Sequence, residues 1–77
     1  MPRETTVAIT AEMVANVLSV DVPVGATVQP GDTVALLESM KMEIPVVVET
    51  GGVVSAIKVS AGDVVQEGDV LVELTLS

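Results

Sequence analysis

Polar and apolar residues alternate along much of this chain, and Gly or Pro interrupts most longer runs. In Leu18-Ser19-Val20-Asp21-Val22, and again in Ile57-Lys58-Val59, every second side chain is apolar. Successive side chains of an extended strand point to opposite faces, so a period of two marks strands with one wet and one buried face. Apolar residues do not recur at three-to-four spacing over ten or more positions, so no helix is expected. The pattern predicts strands at Thr6–Thr10, Val14–Val22, Thr33–Glu38, Met42–Val48, Gly52–Val59 and Val70–Leu74. Pro45 lies within the fourth. Proline cannot donate to a ladder, so that strand belongs at a sheet edge.

The pattern also repeats. A shift of 37 positions lays Val17–Glu38 on Val54–Thr75, with eight identities in 22 positions. Valine matches alone would mean little here, because 18 of the 77 residues are valine. Gly25/Gly62, Gln29/Gln66, Gly31/Gly68 and Asp32/Asp69 fall in register as well, which chance does not easily supply. Each copy reads as a strand, a Gly turn, a short Val-containing link, a Gly-Asp turn and a second strand. Gly31, Asp32, Gly68 and Asp69 are read as turn residues that hold the fold together. The expected architecture is all-β: two small antiparallel sheets closed into a flattened barrel with internal two-fold pseudo-symmetry. By the same symmetry Lys41 and the chain termini should lie at opposite ends.

Composition narrows the function. A chain of 77 residues makes one domain, 1–77. There is no His and no Cys, which removes the commonest general base, the thiol nucleophile and nearly every zinc site. So small a barrel has little room for a substrate pocket beside its own core, so the domain by itself reads as a non-enzyme. Its net charge of −8 makes nucleic acid and acidic membrane surfaces poor partners and favours solubility. No apolar run, Val46-Val47-Val48 included, comes near the length of a membrane helix. Nor does the first stretch, MPRETTVAIT, contain the apolar segment of a secretory signal, so the cytoplasm is the default location.

Lysine occurs twice. Lys58 alternates with Ile57 and Val59 and is expected to be an outward-facing strand residue. Lys41 is different. It falls in Ser39-Met40-Lys41-Met42, a four-residue connection between the strand-like TVALLE and EIPVVV, with Glu38 and Glu43 on either side. Methionine normally fills cores, and two of them around a charge at an exposed tip leave apolar surface in water. Such surface marks a place of contact.

Glu38-Ser39-Met40-Lys41-Met42 resembles the attachment motif of the biotinyl/lipoyl family, in which Met-Lys-Met at a hairpin tip carries biotin on its lysine. The duplicated halves, their glycines and the central hairpin are similar as well, over about Ala11 to Leu76. Ser39 stands where the motif commonly has Ala, a small-for-small change. The resemblance implies a barrel-sandwich of two four-stranded sheets and a biotin carboxyl carrier, with biotin as covalent cofactor on Lys41. It implies a biotin protein ligase that reads Met40 and Met42, with Glu38 and Glu43 as further candidates for recognition. It also implies biotin carboxylase and carboxyltransferase subunits as partners, between whose sites the carrier moves carboxyl groups. The two copies align without a gap, so the protruding insertion of some carrier domains is missing, and no Pro/Ala-rich linker is present. The chain is in this respect similar to small free-standing biotinylated proteins, expected as monomers. Two rivals remain at this point: a lipoyl carrier, whose tip usually reads Asp-Lys-Ala, and an unmodified barrel that binds a partner through its Met-rich tip.

Overall fold

The structure, a computed structural model describing residues 5–76, is built from eight strands. They are β1 (Thr5–Thr10), β2 (Ala15–Val20), β3 (Thr27–Val28), β4 (Thr33–Ser39), β5 (Met42–Val47), β6 (Gly52–Ile57), β7 (Val64–Val65) and β8 (Val70–Leu76). One antiparallel sheet has the order β1-β8-β6-β3 and the other β5-β4-β2-β7. The six long strands sit where alternation places them. β3 and β7 are what the sequence shows only as Val-containing links; two residues are too few for a period of two to register. β2 is shorter at both ends than the expected Val14–Val22. Lys58 lies just beyond β6, exposed as expected, with its N–H donating to the Leu71 carbonyl at 2.9 Å. Pro45 is on β5, an edge strand, as its missing N–H requires.

The internal symmetry extends to individual residue pairs. Adding or subtracting 37 turns Glu38↔Glu43 into Thr75↔Thr6, Asn16↔Glu38 into Val53↔Thr75, and Ala15↔Val65 into Gly52↔Val28. Even the irregularities match. The slip between Thr33 and Ala35 against β5 has its counterpart where Thr10 and Ile9 meet Val70 and Val72. Ser39↔Met42, the last pair before the hairpin tip, corresponds to Leu76↔Thr5. The expected position of the termini themselves concerns residues 1–4 and 77, which lie outside the described residues.

Both halves contribute the same positions to the core: Val17 and Val54, Val28 and Val65, Val34 and Leu71, Leu37 and Leu74. With no aromatic ring available, aliphatic side chains alone fill the space. No polar side chain is buried among the described residues, so nothing in the interior needs a polar partner.

Gln29-Pro30-Gly31-Asp32 explains why the Gly-Asp pair recurs. Gly31 has φ 94°, as the third position of a type II turn demands, and Pro30 presets the position before it. The Asp32 N–H donates to the Gln29 carbonyl, and a carboxylate oxygen of Asp32 accepts the Gln29 N–H, both at 2.9 Å. Gln66 and Asp69 make the same two bonds at the same distances, and Gly68 has φ 91°. Asp32→Ala and Asp69→Ala are therefore expected to destabilise the protein about equally, each by about 1 kcal/mol. Leu37→Ala and Leu74→Ala are expected to cost about 2–5 kcal/mol each. Urea unfolding midpoints check both pairs, and strongly unequal losses within a pair would contradict the equivalence of the halves.

Candidate functional site

β4 and β5 pair without a slip from Ala35↔Val46 to Ser39↔Met42, so the tip between them is Met40 and Lys41 alone. The turn is two residues long, not the four that Ser39-Met40-Lys41-Met42 suggests. Both residues have positive φ, 54° at Met40 and 66° at Lys41. That is the backbone of a type I′ turn, whose twist matches the flanking strands and which normally carries Asn-Gly. For residues with a Cβ the left-handed region costs about 1–2 kcal/mol each. The paired strands on both sides leave only two residues to close the hairpin, and the turns that do so require positive φ. No local signal predicts this, since neither residue favours such a turn.

This backbone displays both side chains. Lys41 is exposed, Met40 is 92% exposed and Met42 64%. Neither methionine folds under the loop. Lys41 thus presents its amine clear of the barrel, on a turn whose two ends are held by the β4–β5 ladder. Lys58 is exposed as well, but it lies in a connection without flanking methionines.

Glu38 and Glu43 face each other directly across the ladder, one pair below the tip. Like charges in that position are destabilising. Their counterparts at the other end of the repeat are Thr75 and Thr6, so the fold has no need of acids there. Glu38, Met40, Lys41, Met42 and Glu43 are thus gathered on one hairpin, while Gly31, Asp32, Gly68 and Asp69 remain in their turns. Ser39 has a role that spacing does not reveal. Its hydroxyl donates to the Val14 carbonyl at 3.1 Å and ties the hairpin to the connection between β1 and β2. An alanine could not make this bond.

The family model described as biotin-requiring enzyme matches residues 5–74. A biotinylated protein TB7.3 homolog of Mycobacterium leprae is 54% identical over 61 residues, 79% of this chain and 86% of that protein. A biotin/lipoyl attachment protein of Bacillus subtilis is 46% identical over 69 residues, 90% of this chain and 94% of that protein. Among solved structures, a single-chain, multi-domain long-chain acyl-CoA carboxylase superposes with a TM-score of 0.88 at 29% identity. The match covers 94% of this chain and 7% of the carboxylase.

The strain at the tip is open to measurement. Replacing Met40 by Asn and Lys41 by Gly together is expected to raise stability by about 1–2 kcal/mol. Glu43→Thr, the residue of its counterpart, is expected to add about 0.2–1 kcal/mol. Both gains should appear as higher urea midpoints with unchanged slopes.

Proposed function

The chain belongs to the biotinyl/lipoyl attachment family, and on that premise we propose that it is a biotin carboxyl carrier whose acceptor is Lys41. The observation that carries the assignment is the exposed Lys41 in a two-residue turn closed by a paired ladder, between two exposed methionines.

A lysine amine attacks only after losing its proton, which for a free side chain happens far above neutral pH. The carboxylates of Glu38 and Glu43 on this hairpin are far weaker bases than the amine. The attaching enzyme, a biotin protein ligase, therefore has to provide both the deprotonated state and an activated biotinyl carboxyl. An amide forms between Lys41 Nζ and that carboxyl carbon, the bond to the activating group breaks, and Nζ gives up a proton. Met40 and Met42 offer the ligase a flexible apolar grip, and Glu38 and Glu43 a charged one. Biotin, when bound, supplies a ureido nitrogen that takes up and releases a carboxyl group. The barrel then acts as a tether, keeping its cargo near a partner at an effective concentration on the order of millimolar.

The structural likeness to a segment of a carboxylase supports a biotin carboxylase and a carboxyltransferase as those partners. The carrier acts as a cytoplasmic monomer in this reading. It contributes no catalytic group of its own.

Intact mass tests the proposal. The wild type incubated with biotin, ATP and a biotin protein ligase is expected to gain one biotinyl increment. Lys41→Arg is expected to gain none, and Lys58→Arg to behave as the wild type. No increment on the wild type, beside a control substrate that is modified, rules out the biotin reading. A lipoyl increment under lipoylating conditions would point to a dehydrogenase carrier instead.

A further inference from the structure

The duplication supplies an internal control. Both halves of the barrel face the same demands of register, and only the turn at Met40-Lys41 lacks a counterpart connection, so a difference between counterparts outside that turn is not imposed by the fold. At the Lys41 end, Met13, Val14 and Val64 are all exposed, Val14 at 62% and Val64 at 65%. A shift of 37 carries them to Thr50, Gly51 and Thr27. Three large apolar side chains at one end thus stand against two threonines and a glycine at the other. Among the described residues matched in this way, the far end gains a large exposed apolar side chain at Val53, the counterpart of Asn16.

The three residues come from separate segments, the β1–β2 connection and β7. With Met40 and Lys41 they line one shallow depression of about 650 Å³. The Ser39–Val14 hydrogen bond holds its two sides together. Contiguous apolar surface of this kind marks an interaction site, and here it opens beside the acceptor lysine.

We propose that Met13, Val14 and Val64 form, with Met40, a docking shelf for the enzyme that attaches biotin to Lys41. This rests on the reading of Lys41 as acceptor. Reach distinguishes that enzyme from the carboxylase. Acylation takes place at Nζ, about 6 Å from the Lys41 Cα along an extended side chain. The attaching active site must therefore close over the turn and bear on its surroundings. An enzyme acting on the ureido ring works at the far end of the arm and makes no such demand. The matching face is apolar at its centre and cationic at its margin, where it meets Glu38 and Glu43 on a protein of net charge −8.

The test is steady-state biotinylation of the full chain by purified biotin protein ligase, comparing the wild type with a variant carrying Met13→Thr, Val14→Thr and Val64→Thr. These changes keep the backbone bond of Val14, and threonine already stands at the counterparts of Met13 and Val64. The KM for the carrier is expected to rise about tenfold or more, with kcat within about twofold and an unchanged thermal midpoint. Val24→Thr, equally exposed at 61%, is the control and is expected to leave KM as it was. If the triple variant is unstable, Val64→Thr alone carries the test with a smaller rise in the same direction.

An unchanged KM, with the wild type modified at Lys41, overturns the shelf and leaves the acceptor assignment standing. A wild type that takes no biotin overturns both. A rise with Val24→Thr as large as that of the triple variant overturns the shelf as a specific surface. So does a pre-biotinylated triple variant that loses carboxylase turnover while its ligase kinetics stay normal.

Discussion

The ladder between β4 and β5 is the interaction on which the site depends. It runs from Thr33↔Val47 to Ser39↔Met42 and is anchored by Leu37, which is 3% exposed, and by the half-buried Ile44 and Val46. Burial sets the register, because a slip of one residue would turn every one of these side chains to the wrong face. Once the register is set, two residues must close the hairpin, and Met40 and Lys41 must accept a left-handed backbone that neither prefers. The same ladder holds Glu38 against Glu43 despite their charge. Stability made in the core is thus used at the tip, where backbone and charge both oppose folding.

The symmetry of the fold gives this a sharper form. The pairing that ends at Met40-Lys41 is the pairing that places Thr5 beside Leu76, and every buried core position but Ala15 has its counterpart in the core. What the halves share is what the barrel requires: valine and leucine inside, glycine in the type II turns, aspartate to close them. What they do not share gathers around Lys41. Met13, Met42, the paired glutamates, Val14 and Val64 stand at that end, where their counterparts are threonines and one glycine.

Much of this was legible in the sequence, and the reason lies in the kind of signal. Alternation over five or more residues revealed the long strands, and Pro45 showed that its strand was an edge. Matching glycines and aspartates in register disclosed the repeat, because the type II turns that need them recur at each copy. The Met-Lys-Met tip was visible through the oddity of its chemistry. Other features left no local trace. β3 and β7 are too short to carry a period. The left-handed turn arises from the register on both sides of Met40-Lys41 and not from those residues. The bond from Ser39 to Val14, and the approach of Val64 to the tip, join segments distant along the chain, and no spacing encodes them.

The pairing of Thr5 with Leu76 has a consequence for how such a module can be built into larger polypeptides. A segment arriving at Thr5 and another departing from Leu76 would pass through a single doorway on the surface. A host chain could therefore receive the barrel as a side branch, its own backbone barely diverted. Joined to each other by a short turn, the same two strands would make the chain an endless loop, which could be cut open elsewhere without altering a single contact in the core.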